Sequence, residues 1–189
     1  MKLSFASAGL IAASVSLIFA TSAGYQSAKS KFGLIEAERL RPGSRVVLSP
    51  GELNAYVQQE VRTAVPEGVR DPRVELGHES ATGTAQIDFG KLRRAQGNPP
   101  GWLMSKLLDG ERPVKVTARI RSGSGRAVVD VQSVEISGMT IDGRLLDYLI
   151  HNYLLPRYPD AKIGEPFELG HRMEKIDVQP AQVAVLIGK

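Results

Sequence analysis

The sequence predicts an α+β domain, a curved antiparallel sheet packed on two main helices. Three observations carry that reading. Apolar and polar residues alternate along several short stretches that come in pairs separated by turn residues. Two longer stretches instead repeat their apolar residues at steps of three and four. Finally, the order strand, helix, hairpin, short helix, hairpin, helix, hairpin joins strands mostly by hairpins, which favours an antiparallel sheet with helices on one face.

Ser44–Leu48 reads as a short strand, and Ser49-Pro-Gly-Glu52 then opens a helix. Ser49 and Glu52 have the spacing of a capping box, and Pro50 falls at the first helical position. Leu53, Tyr56, Val57, Val61, Ala64 and Val65 form one apolar stripe that Pro66 and Gly68 stop. Arg73–His78 and Thr84–Phe89 read as strands across a Ser80-Ala-Thr-Gly83 turn, with Gln86 and Asp88 on a wet face. Gln96–Gly101 breaks the pattern, and Trp102–Leu108 reads as a short helix ended by Gly110.

The strongest hairpin signal follows. Val114, Val116, Ala118 and Ile120 alternate with Lys115, Thr117, Arg119 and Arg121, and Ser122–Gly125 turns the chain into Ala127–Ile136. Gly143–Leu155 reads as the second main helix, stopped by Pro156. Glu174–Val178 and Gln182–Ile187 close the chain as a hairpin around Gln179-Pro-Ala181.

The chain has 189 residues, 42% hydrophobic and 23% charged, with a net charge of +4. That composition belongs to a globular domain, and so small a basic surplus gives no ground for a nucleic-acid partner. The absence of cysteine excludes disulfides, a thiolate metal site, a cysteine nucleophile and an acylated cysteine. Residues 1–23 read as a signal peptide or N-terminal anchor: Lys2, then no charge from Leu3 to Ala20, then the small residues Thr21, Ser22 and Ala23. The expected location is outside the cytoplasm, in the periplasm or on the outer face of the cytoplasmic membrane. Cleavage would leave 166 residues with a charge of +3. Residues 24–43 read as a linker and 44–189 as a single domain.

No catalytic motif is visible, so the expectation is a protein that is not an enzyme and carries no cofactor or metal. His78, His151 and His171 lack ligand spacing, and Ser122-Gly-Ser-Gly125 is a hairpin turn without the order of a nucleophile elbow. Two features exceed ordinary core packing. Trp102 and Leu103 lie in a dense apolar set with Lys91, Arg93, Arg94 and Lys106 around it, a combination suited to an anionic membrane surface. A structural cap with solvated charges is the alternative. Gly143–Leu155 is apolar over most of its circumference, as core or as the wall of an apolar groove. The candidate groove residues are Tyr56, Val57, Leu146, Leu149, Ile150 and Tyr153.

The segment Val46-Val-Leu-Ser-Pro-Gly-Glu-Leu-Asn54 resembles the opening of small exported bacterial domains related to the tubular lipid-binding (TULIP-like) superfamily. Ile141-Asp-Gly-Arg-Leu-Leu146, Leu155-Pro156 and Ile163-Gly-Glu-Pro-Phe-Glu-Leu169 are similar to later parts of such domains. The resemblance covers most of 44–188 and corresponds to one unit of a longer lipid carrier. It implies a helix wrapped by a curved antiparallel sheet, an apolar groove that holds lipid, and no catalytic residues. The functional expectation is therefore an exported envelope protein that binds a lipid or other long apolar ligand. An envelope protein–protein interaction or assembly module is the alternative.

Overall fold

The computed structural model describes residues 23–64, 68–95, 110–155 and 163–189. The expected signal segment before residue 23 and the expected helix Trp102–Leu108 lie outside them. Strand β1 (Arg45–Leu48) leads through Ser49 into α2 (Pro50–Ala64), which follows an N-terminal helix α1 at residues 23–36. The capping box forms as its spacing requires. Glu52 donates its backbone N–H to Ser49 Oγ at 3.2 Å, and Glu52 Oε2 accepts the Ser49 backbone N–H at 2.8 Å.

The remaining elements are β2 (Val69–Gly77), β3 (Ser80–Asp88), α3 (Phe89–Ala95), β4 (Glu111–Gly123), β5 (Arg126–Ile136), β6 (Met139–Ile141), α4 (Gly143–Leu149), β7 (Phe167–Glu168), β8 (Met173–Gln179) and β9 (Gln182–Ile187). All described strand pairs are antiparallel, and the class is α+β. They form two sheets. The smaller runs β1-β9-β8; the larger runs β2-β3-β4-β5-β6, with β7 also on β5.

Each sheet has its own core. On the larger, Phe89, Val134, Ile136, Ile141 and Leu149 are buried together, with Leu145 and Leu146 of α4 packed against them. On the smaller, Val46, Val185 and Ile187 are buried with Ile35 of α1.

Helix α1 takes up residues 24–36 of the linker expected at 24–43, and only 37–43 of it lead on towards β1 without regular structure. Its buried or half-buried positions Tyr25, Ala28, Phe32 and Ile35 recur at three- and four-residue steps, a helical stripe obscured by intervening Gln, Ser, Lys and Gly. Gly24 permits the close approach to α2, because a Cβ there would lie 3.3 Å from Ala55 Cβ. The chain between β2 and β3 also differs from expectation. Ser80-Ala-Thr-Gly83 lies within β3, and the turn is His78-Glu79. Turn-type composition there yields to pairing on both sides, since β3 is flanked by β2 and β4. Phe89 does not end that strand but begins α3, where Asp88 Oδ1 accepts the Lys91 backbone N–H at 2.8 Å. The second main helix is α only to Leu149. It continues as a π turn over Ile150–Leu154, with Leu155 N–H donating to Ile150 O at 2.9 Å.

Side chains, not further strands, finish two sheet edges. Asn54 of α2 donates from Nδ2 to Val74 O at 2.8 Å and accepts the Val74 N–H on Oδ1 at 2.8 Å, pairing with β2 as a neighbouring peptide would. Ser122 Oγ donates to Ile176 O at 2.6 Å and accepts the Ile176 N–H at 2.8 Å, which fastens β8 to the β4–β5 hairpin. Asn54→Ala leaves both Val74 groups unpaired and is expected to lower stability by about 1–3 kcal/mol, read from the denaturant midpoint at unchanged slope.

Glu52 ties α1 to α2. Burial pushes its carboxyl up, but the Lys31 ammonium at 2.5 Å, the Ser27 hydroxyl at 2.5 Å and the two Ser49 donors override this and hold it at about 2. Its side chain is only 16% exposed. A depressed carboxyl stabilises fully above its unfolded value near 4.5 and loses that contribution as pH falls towards 2. Glu52→Gln is therefore expected to reduce stability by about 1–3 kcal/mol near neutral pH. The deficit should shrink steadily in denaturation curves taken between about pH 5 and pH 2.

Candidate functional site

Pairing register fixes which side chains share a face of the larger sheet. One row crosses it as Val74, Gly83, Val116, Val134 and Ile141. Val134 and Ile141 are buried in the core under α4, whereas Val74, Gly83 and Val116 are half-buried. Cover therefore thins from β6 towards β2. Ala81, Gly83 and Ala85 alternate along β3 onto this same face, giving it a floor of small residues. A Cβ placed on Gly83 would meet no atom of the described residues within 4 Å. Leu76, Ala118 and Val131, in the adjoining row, are half-buried as well. Among the described residues the result is an apolar strip over β2 and β3 that runs into the α4 core at β4 and β5, where Val116 and Val131 pack against it.

The groove residues expected from the sequence separate into two groups. Leu146 and Leu149 meet in the core of the larger sheet, where Leu149 is 8% exposed. Ile150 follows them, half-buried, at the start of the π turn; the side chain of Tyr153 lies outside the described residues. Tyr56 sits elsewhere, with its ring centroid 4.5 Å from Phe32 and 6.0 Å from Tyr25 of α1. Burial, reinforced by the Glu60 and Glu36 carboxylates, pushes its phenol up. Val57, next along α2, is half-buried.

Of the expected membrane-interface residues, Lys91 is exposed and 3.8 Å from Asp88. Trp102, Leu103 and Lys106 lie outside the described residues, as do the side chains of Arg93 and Arg94. The small-residue floor was missed by sequence reading, although Ala81, Gly83 and Ala85 alternate in the sequence. Ala81 and Gly83 fall in the expected Ser80–Gly83 turn, before the expected strand start at Thr84, and that concealed the pattern.

Among the described residues, no group of three or more His, Cys, Asp or Glu side chains comes together as metal ligands. No described helix is long and apolar enough to cross a membrane. His151 Nδ1 lies 2.8 Å from Asp147 O, and His171 Nδ1 lies 3.9 Å from Glu38. No protein family matches the chain, and a search of curated proteins finds no similar sequence.

Proposed function

We propose that the protein is an exported, non-catalytic envelope protein that binds a lipid or other long apolar ligand along the curved larger sheet, as the resemblance to TULIP-like domains implies. The observation that supports this reading is the half-buried apolar row Val74, Gly83 and Val116, continuous with the α4 core at Val116, where a Cβ on Gly83 would meet no atom of the described residues within 4 Å. Each methylene removed from water there contributes about 0.8 kcal/mol, so even a partial acyl chain gains substantial affinity. In this reading β3 supplies the floor. Leu146 of α4 and Ile150 of the π turn after it belong to the wall; Tyr56, packed on Phe32 and Tyr25 of α1, lies apart from this strip. Trp102, Leu103, Lys91, Arg93, Arg94 and Lys106 are the residues we propose for contact with an anionic membrane, on the strength of their apolar and basic character in the sequence.

The competing reading, an assembly module that recruits a partner strand, meets two obstacles at the sheet edges. Asn54 occupies β2 at Val74. Along β8, Glu174 O, Ile176 N–H and O, and Val178 O already bond Gly125, Ser122 and Glu79. Strand addition needs such groups free.

Native mass spectrometry and solvent extraction of the exported domain test the proposal. Co-purifying lipid is expected, and a protein that neither carries nor takes up lipid overturns it. Gly83→Leu fills the floor and should cut lipid occupancy at least ~10-fold, a loss of about 1.4 kcal/mol. Far-UV circular dichroism should stay unchanged. Trp102→Ala should weaken co-sedimentation with anionic liposomes, and unchanged binding removes that residue from the membrane contact.

A further inference from the structure

The opposite face of the larger sheet carries a different kind of surface. Arg73, Thr84, Lys115 and Glu135 stand side by side on four successive strands, β2 to β5. Adjacent strands lie about 4.8 Å apart, so Arg73 and Lys115 flank the Thr84 hydroxyl within reach of a single anionic group. Asp71 and Gln86 complete a basin of about 370 Å³ around them. That volume lies within the range of small-ligand sites.

Three details separate this basin from an ordinary wet sheet face. First, Arg73 is exposed and has no ion-pair partner among the described residues, although carboxylates line the same basin. Second, Lys115 is held only loosely by Glu135 at 3.5 Å, with the two side chains 49% and 33% exposed, so either is easily re-paired. Third, Asp71 adopts φ of 49° directly before Pro72, within a bulge that interrupts the β2–β3 register between Arg70 and Arg73. Left-handed backbone is costly for a non-glycine residue, and here it carries an acidic side chain at the rim.

The charges of the basin balance: Arg73 and Lys115 against Asp71 and Glu135. A multiply charged anion would be attracted by the cations but repelled by carboxylates on both sides. An ammonium alone would meet the converse. We infer that this basin binds a small zwitterion, with its anionic oxygens between Arg73 and Lys115 over the Thr84 hydroxyl and its ammonium against Glu135 or Asp71. A carboxylate or a phosphodiester satisfies the anionic position equally, so free amino acids and ethanolamine-type lipid headgroups share the required chemistry. This inference is independent of the apolar strip on the other face.

Titration of the protein with glycerophosphoethanolamine, β-alanine, inorganic phosphate and ethanolamine, followed by calorimetry or amide NMR shifts, tests it. One or both zwitterions should bind, and the preferred one names the source. Phosphate and ethanolamine should bind at least ~10-fold more weakly than that zwitterion. Arg73→Gln, Lys115→Gln and Glu135→Gln should each weaken it by ~10-fold. All three are surface changes, and an unchanged thermal midpoint will confirm that the fold is intact. The inference is overturned if neither zwitterion binds at ~10 mM, which corresponds to about −2.7 kcal/mol. It is also overturned if phosphate binds as tightly as the better zwitterion, or if the variants bind like the native chain.

Discussion

Every strand at the edge of a sheet presents backbone donors and acceptors that need partners, and this protein's architecture follows from how it supplies them. At β2 the partner is the Asn54 amide, which offers one donor and one acceptor in the geometry of a peptide group. At β8 the partners come from two hairpin ends of the larger sheet: Glu79 N–H of the β2–β3 turn on Val178 O and, from the β4–β5 hairpin, Ser122 Oγ on both polar groups of Ile176 and Gly125 N–H on Glu174 O. They fall on alternate residues, 174, 176 and 178, because only alternate residues of a strand direct their hydrogen-bonding groups outward. The smaller sheet is thereby fixed against the hairpin ends of the larger one without a shared strand.

The same requirement fixes the helices. Asn54 reaches Val74 only if α2 begins in the right rotation, and the Ser49–Glu52 capping box sets that beginning. Glu52 then has a second oxygen, Oε1, and uses it for Ser27 and Lys31 of α1. Lys31 also donates to Val47 O at 2.8 Å, so a single ammonium touches α2 and β1 together. Ile35, one turn beyond, lies in the core of the smaller sheet. Helix cap, edge closure and the burial of α1 are thus successive steps of one chain of contacts. The carboxylate within it is worth keeping charged because so many donors converge on it.

These steps were unequally legible in the sequence. The capping box was visible because its partners are three residues apart, and the final hairpin because its alternation is uninterrupted. Asn54 could be read only as part of a helical turn, since its meaning lies 20 residues away at Val74. Ser122 looked like a turn residue for the same reason, with a partner 54 residues distant. Helix α1 was hidden by composition: four stripe residues separated by Ser, Lys and Gly resemble a linker until α2 and the smaller sheet exist to cover them. The π turn after Leu149 inserts a residue into the helical repeat, which no apolar count foresees. The short strands β6 and β7 have too few residues to alternate detectably. Of the candidate site, the α4 leucines were found by their apolarity. The floor at Gly83 was not, because a small residue signals space only after its neighbours are known.

That floor and the basin around Arg73, Thr84 and Lys115 are related by the pleat. Successive residues of β3 point to opposite faces, so Ala81, Gly83 and Ala85 lie on one side while Thr82, Thr84 and Gln86 lie on the other. The register carries the separation across to β5, where Val134 stands on the apolar side and Glu135 on the polar one. A register shift adds Gln132 to β5 opposite the Thr117–Ala118 step, yet Ala118 still pairs with Val131, so the apolar row continues beyond it. One sheet thus presents an apolar surface with small residues at its centre and a polar surface with balanced charges at its centre. A single thickness of backbone separates them. No acyl chain occupying the first can place its own headgroup in the second without passing around an edge, and at Val74 that edge is held by Asn54. The pleat of β2 to β5 therefore keeps the apolar residues and the charged ones on separate faces.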